Sequence, residues 1–261
     1  MLTFEYAQRT SKGARNYQED AARLRPGPLL NGNDGHDRLP CSLLAVLADG
    51  MGGHTGGALA SRTACESFIE AYDALDPAAS GLLVHALEAS NAAIARKIES
   101  SPHLSGMGST LVGAAFGQGG LEWVSVGDSP LYLFRRGEVA LLNEDHSLAP
   151  ALDQMVAEGR MSAEEARNDP RRHMLRSALT GEPLELVDVS RKPLALEPGD
   201  YVVLASDGIH TIEDAEICRV IAAYGEDGPE AVAGALVRAV EQVRDPHQDN
   251  ITVVVVRPRA V

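Results

Sequence analysis

The chain has 261 residues, 44% hydrophobic and only 4% aromatic, so a sizeable core must be built mainly from Ala, Val, Leu and Ile. Its formal net charge of −14 repels nucleic-acid phosphates and anionic lipid, and neither nucleic acid nor membrane is expected as a partner. Cys41, Cys65 and Cys218 stand far apart with no Cys-x-x-Cys pair, which argues against zinc ribbons and disulfide frameworks and leaves three reduced, mostly buried thiols.

In chain order, residues 3–10 and 19–25 read as extended. The start, Met1-Leu-Thr-Phe-Glu-Tyr6, lacks the basic opening and apolar core of a signal peptide. No apolar run approaches the ~18 residues of a membrane span, so a soluble cytoplasmic protein is expected. Residues 27–40 are rich in turn formers and read as a loop or hairpin tip. Residues 42–48 form a continuous apolar strand. Helices are expected from Gly57 to Tyr72 and from Pro77 to Ser100. In the second, Leu83, Leu87, Ile94 and Ile98 share one stripe. Strands follow at 109–116, 121–127, 130–135 and 138–142, with hairpin turns at Gly119-Gly120 and Arg136-Gly137. Residues 147–180 break the pattern, with short helical pieces and the breakers Gly159 and Pro170. Strands resume near 185–191 and at 201–206, then helices at 213–223 and 229–243, then a last strand at 250–257.

Hairpin spacing dominates this order. It predicts an α+β fold: a four-layer α-β-β-α sandwich of two antiparallel sheets, each flanked by a helix pair. Covering every strand on both faces explains apolar runs that are continuous rather than alternating. A doubly wound parallel sheet is the lesser alternative. No repeat or linker divides the chain, so residues 1–261 are expected to form one domain.

The chemistry sits at strand ends. The runs Ser42–Asp49, Trp123–Asp128 and Tyr201–Asp207 each stop at an aspartate. Asp249-Asn250 instead opens the run Ile251–Val256, and Asp20 precedes a short extended stretch. Neighbouring antiparallel strands bring one strand's end to the next one's start. Asp20 can therefore sit beside Asp49, and Asp207 beside Asp249. Clustered carboxylates repel and need cations to neutralise them, and all-oxygen sites suit Mg²⁺ or Mn²⁺. That is the pattern of a metal hydrolase with bridging carboxylates. Asp49-Gly-Met-Gly-Gly-His54-Thr-Gly-Gly57 adds a glycine-rich turn opening a helix. It is not a P-loop, because no Gly-Lys-Ser/Thr follows.

Seven motifs occur in order: Arg15-x-x-x-Glu-Asp20, Ala48-Asp-Gly-Met-Gly-Gly-His-x-Gly-Gly57, Gly106-Met-Gly-Ser-Thr110, Val126-Gly-Asp-Ser129, Asp145-His-Ser147, Ala205-Ser-Asp-Gly208 and Asp249-Asn-Ile-Thr252. Together they resemble the metal-dependent serine/threonine protein phosphatases (PPM family, type 2C) in their compact bacterial form. The resemblance covers nearly the whole chain. It implies hydrolysis of phosphoserine and phosphothreonine in proteins by a metal-bridging hydroxide, with no phosphoenzyme. It implies two bridged Mn²⁺ or Mg²⁺ ions and a weaker third. Asp49 matches the bridging carboxylate, with the Gly50 carbonyl beside it and Asp20, Asp207 and Asp249 around the pair. Asp128 and Asp207 match the ligands of the third ion. Arg15 matches the arginine that grips the substrate phosphate, His54 the general acid, and Asn250 a supporting neighbour. Phosphorylated proteins are the implied partners, with a cognate serine/threonine kinase or its substrates among them.

This sequence departs from the family pattern at Gln18, where Asn is common, at Pro130, where Arg is common, and at Ser109 in place of Thr. Two alternatives stand beside the main reading: a phosphatase of this fold acting on another phosphomonoester, and an inactive phosphopeptide-binding module. The intact Asp20, Asp49, Asp207, Asp249 set speaks against inactivity. His146 reads as a hydrogen-bonding turn histidine, and the other histidines as surface or locally bonded. Residues 147–180 resemble the family's mobile flap; Arg171 and Arg172 within it read first as a solvated helix face, and second as contacts for acidic substrates.

Overall fold

The computed structural model describes residues 1–27, 42–53, 55–76 and 79–260. In chain order the strands are β1 (Leu2–Ser11), β2 (Ala21–Pro26), β3 (Leu43–Ala48), β4 (Gly50–Met51), β5 (Gly108–Ser109), β6 (Leu111–Gly117), β7 (Gly120–Val126), β8 (Leu131–Arg135), β9 (Glu138–Leu141), β10 (Asp188–Val189), β11 (Tyr201–Ala205) and β12 (Ile251–Ala260). The helices are α1 (Thr55–Ala74), α2 (Leu82–Ser100), α3 (Ala149–Ala157), α4 (Ala163–Asn168), α5 (Asp214–Tyr224) and α6 (Pro229–Val243).

One sheet runs β1-β12-β11-β8-β9 and the other β10-β7-β6-β3-β2, with every pairing antiparallel. Strand side chains alternate between faces. Leu43, Ala45 and Leu47 of β3 enter the layer between the sheets, where they meet Leu131, Val202, Leu204, Val254 and Val256. Leu44, Val46 and Ala48 point the other way, under Phe68 of α1 and Leu87 and Ile94 of α2. Val203 and Ala205 of β11 and Val253 and Val255 of β12 likewise meet Ile217 and Ile221 of α5 and Leu236 of α6. The four-layer α+β sandwich is therefore present. Apolar runs are continuous because both faces are covered, and each fully buried Leu or Val contributes about 1.5–3 kcal/mol. The outer strands β1 and β9 differ: Tyr6 and Leu141 are exposed.

Several expected boundaries move. The first helix starts at Thr55 and the second at Leu82; Pro77 lies outside the described residues. The strand expected over 109–116 is interrupted at Thr110. There the chain turns from a two-stranded ribbon, β4 with β5, into β6. The strand expected over 185–191 contracts to Asp188–Val189, paired with β7. Cys65 is buried and Cys218 partly buried, both unbridged; Cys41 lies outside the described residues. Among the described residues, no helix is long and apolar enough to cross a membrane.

Gly113 of β6 faces the Phe68 ring, and a Cβ there would lie 2.2 Å from it. Gly113→Ala should lower unfolding free energy by about 1–3 kcal/mol through overpacking. Combining it with Phe68→Leu should give more stability than the sum of the single effects, since the two share one space. Urea unfolding of the three variants measures this, and strict additivity would contradict the packing described.

Candidate metal centre

The register of β2 and β3 pairs Ala21 with Ala48, which continues to Asp20 beside Asp49. In the other sheet Ala205 pairs with Val253, and the Ser206 amide donates to the Thr252 carbonyl at 3.0 Å. Asp207 then leaves β11 beside Asp249 and Asn250 at the start of β12. Asp128 lies where the chain passes from β7 in one sheet to β8 in the other. Gly127, at φ +100°, makes that corner, and a Cβ there would lie 2.6 Å from Thr110. Both sheets thus end at one cleft of about 910 Å³, lined by Arg15, Asp49, Gly50, Asp128, Asp207 and Asp249. Asp20 is buried beside them, its Oδ2 accepting from Ser206 Oγ at 2.8 Å.

Close packing holds the backbone around Asp49. Its amide donates to Thr110 Oγ1 (2.9 Å), and its carbonyl accepts from Ser109 Oγ (2.8 Å) and the Thr110 amide (2.9 Å). Ser109 thus fills its departure from the family pattern with a working hydroxyl. A Cβ on Gly50 would lie 2.1 Å from the Gly57 carbonyl, so the opening turn of α1 seats on the Asp49 loop only with glycine there.

Burial pushes the Asp49 carboxyl well above the ordinary range, with Asp20, Asp207, Asp128 and Asp249 adding to the shift. Burial likewise raises Asp20 to about 7; the Ser206 and Thr252 hydroxyls oppose the rise, and Asp207 and Asp249 add to it. Asp128 rises to about 7 through burial, then through Asp207 and Asp145. Asp207 is raised by burial and then by Asp249; a hydrogen bond with Asp49 and the nearby His210 and His173 work against the rise. A site that binds protons this readily is equally an attractor of cations.

The donor set fits a hard divalent ion. It is all oxygen and rich in carboxylates, and the Oδ1 atoms of Asp20 and Asp207 are buried with no hydrogen-bond partner among the described residues. Among those residues, no three His, Cys, Asp or Glu side chains stand at metal-ligand geometry. Two of the carboxylates are instead engaged by other partners, Asp20 by Ser206 and Asp249 by Arg15. Arg15 Nη2 donates to Asp249 Oδ2 at 2.5 Å.

Asn250 fixes the loop that carries Arg15. Its Nδ2 donates to the Lys12 (3.0 Å) and Tyr17 (2.9 Å) carbonyls, and its Oδ1 accepts from the Glu19 amide (2.8 Å). Gln18 accepts from the Asp20 amide (3.0 Å) and donates to Thr10 and to the Ser11 carbonyl, so this departure is absorbed locally. Pro130 is buried, and its carbonyl accepts from the Ala205 amide at 3.0 Å.

The family model for protein phosphatase 2C matches residues 35–227. The chain belongs to the protein phosphatase 2C family. It is 36% identical over 240 residues to the serine/threonine protein phosphatase PstP of Mycobacterium tuberculosis, covering 90% of this chain and 44% of that protein. The chain thus spans less than half the length of that relative. It is 31% identical over 213 residues to the serine/threonine phosphatase stp of Listeria innocua, covering 78% of this chain and 81% of that one. The crystal structure of the Mycobacterium tuberculosis phosphatase PstP/Ppp superposes with a TM-score of 0.77 at 31% identity, covering 98% and 99% of the two chains. The catalytic domain of PstP, solved in complex with two manganese ions, gives a TM-score of 0.76 at 30% identity over both whole chains.

Within this family frame, the expected site residues Arg15, Asp20, Asp49, Gly50, Asp128, Asp207 and Asp249 all come together. His54 lies outside the described residues. His146 is buried and its Nδ1 accepts from the Gly127 amide at 3.2 Å, as a turn histidine would; burial lowers its pKa. Arg171 pairs with Asp169 and Arg172 with Asp153 at 2.8 Å each, so both are engaged within the 147–180 segment. Two histidines expected to be surface or locally bonded, His173 and His210, instead stand near the aspartates. His173, which lines the cleft, reaches it by the fold of that segment and left no spacing signal. His210 stands three residues after Asp207 in one tight helical turn, a spacing that could have flagged it.

In chelator, Asp20 and Asp128 titrate near 7 in the folded chain against an ordinary 3.8. The folded state then holds more protons than the unfolded between those values. Stability from these groups is complete below about 4 and is lost as pH rises through about 7. The thermal midpoint of metal-free protein should therefore fall between pH 5 and pH 8.5. Asp20→Asn with Asp128→Asn should flatten that slope. A midpoint that climbs toward pH 8.5 would contradict the electrostatics described.

Proposed function

We propose that this chain, as one domain over residues 1–261, is a metal-dependent protein serine/threonine phosphatase. The observation that carries the reading is the convergence of Asp20, Asp49, Asp128, Asp207 and Asp249 from both sheets on one cleft, with Arg15 among its lining residues. Asp49 would be shared by two ions, with the Gly50 carbonyl, Asp20, Asp207 and Asp249 around them, and Asp128 with Asp207 would hold a weaker third. Mn²⁺ or Mg²⁺ suits these oxygen donors, and such ions, when bound, supply Lewis acidity and an acidified water near neutral pH.

The chain's own groups do the rest. The Arg15 guanidinium is a planar fork suited to two oxygens of a phosphate. Its partner Asp249 is half exposed, so the pair is exchangeable. A phosphate entering the cleft then meets Arg15 while its carboxylate partner turns to other duty. Asn250 sets the reach of that arginine by tying down its loop. Ser109 and Thr110 hold the Asp49 backbone, and Ser206 orients Asp20. His54, by its match to the family's general acid, would donate a proton to the leaving alkoxide. Cys65 is not suited to serve as a thiolate nucleophile: it is buried, its thiol is raised to about 12 by burial, and its Sγ donates to the Ala21 carbonyl. The segment 147–180 is rooted by the pairing of Ser147 with Leu175, and acts as a mobile flap in substrate selection. Substrates are phosphorylated proteins of the cytoplasm, a cognate kinase or its substrates among them.

Hydrolysis of nitrophenyl phosphate and of phosphothreonine peptides should require added Mn²⁺ or Mg²⁺ and stop in chelator. Asp49→Asn should cost about two orders of magnitude or more in kcat. Arg15→Ala should act mainly through KM, lowering kcat/KM by about ten- to a hundredfold, the scale of a lost charged hydrogen bond. Full activity in chelator would defeat the metal reading; metal binding without turnover of any phosphoester would favour the binding module.

A further inference from the structure

Next to the cleft lies a second depression, about 760 Å³, between α2 and residues 181–189. Val84, Leu87 and Leu184 form its floor, and Val187 and Val189 its lip, 38% and 39% exposed. Val189 belongs to β10, the outermost strand of its sheet. The rim carries Glu88, Glu99 and Glu182 against one base, Arg96.

Glu182 and Pro183 line both this groove and the cleft, so the two are continuous. The strap that divides them is tied at three places. Asn91 donates to the Glu182 carbonyl (2.7 Å) and accepts from the Gly181 amide (2.8 Å). Ser177 Oγ donates to the Leu186 carbonyl (2.8 Å) and accepts from its amide (3.1 Å). Ser109 and Leu179 exchange backbone bonds of 2.9 and 2.8 Å. The groove is thus preformed, and filling it costs little ordering.

We propose that this groove is a docking subsite for the phosphoprotein segment whose phosphate enters the cleft, taking one apolar side chain flanked by basic residues. The assignment rests on the phosphatase reading above. Continuity with the cleft and the acidic rim select this occupant. A second copy would bring a rim of the same sign and a net charge of −14 against its own, and an anionic bilayer would be repelled. A basic, singly apolar segment satisfies both the floor and the rim.

The test uses phosphothreonine peptides with flanking arginines and one Leu moved stepwise away from the phosphate on either side. One register should raise kcat/KM about tenfold or more over the Ala peptide, the scale of burying one large apolar side chain. Ala92→Trp, at an exposed position of α2 lining the groove, should erase that preference through KM and leave nitrophenyl phosphate hydrolysis unchanged. Glu88→Lys with Glu99→Lys should weaken the arginine-flanked peptide and favour a glutamate-flanked one. Intact hydrolysis with no Leu register, or a register that survives both variants, overturns the subsite while leaving the phosphatase reading standing. Absence of hydrolysis on every phosphoester by the unsubstituted protein overturns both. A concentration-dependent dimer lost in Ala92→Trp would assign the groove to a second copy and overturn the substrate assignment.

Discussion

Mutual repulsion among five aspartates is the constraint on which the structure turns. None of them can retreat. Asp20 and Asp49 are held by the register of β2 with β3, and Asp207 and Asp249 by that of β11 with β12. Asp128 is held by the corner at Gly127. Burial then denies Asp20, Asp49, Asp128 and Asp207 the water that would screen them, and the proton affinity of each rises. A fold that kept such a group of charges without use would lose stability at neutral pH. Cations held at the cleft, as proposed, would turn that cost into binding energy.

The sandwich is what makes the repulsion bearable. Layers of Leu, Val and Ala on both sides of each sheet anchor the strands. Polar staples then finish the positioning at short range. Asn250 ties three backbone groups of the Arg15 loop, and Ser206 bridges Asp20 to the start of β12. These contacts are local and few, while the core behind them is large. The site can therefore carry strain in charge without strain in position.

Much of this was legible in the residues because strand ends and burial leave marks in sequence. Apolar runs stopping at Asp49, Asp128 and Asp207 gave both the sheets and the cleft. The helix pairs followed from stripes such as Leu83, Leu87 and Ile94. What stayed hidden depends on contacts distant in sequence. The break at Thr110 arises because its side chain and amide both serve Asp49. β10 pairs with β7 for two residues, after which the Ser190 amide donates to the Trp123 carbonyl and the Ser190 hydroxyl accepts from the Trp123 amide. His173 arrives by the folding of an irregular segment. The groove beside α2 is invisible in sequence, because its floor and lip come from residues about 100 positions apart. By contrast, Arg171 and Arg172 lie in the turn after α4 rather than on a helix face, and ion pairs with Asp169 and Asp153 hold them within their own segment.

The central claim is that these aspartates gather around ions shared through Asp49. Anomalous diffraction from crystals of the protein grown with Mn²⁺ tests it most directly. The account predicts two strong manganese peaks in the cleft, bridged by Asp49 and flanked by Asp20, Asp207 and Asp249, with Arg15 released from Asp249. Manganese peaks away from these carboxylates, or a cleft with Arg15 still paired to Asp249 and no manganese at Asp49, would contradict it.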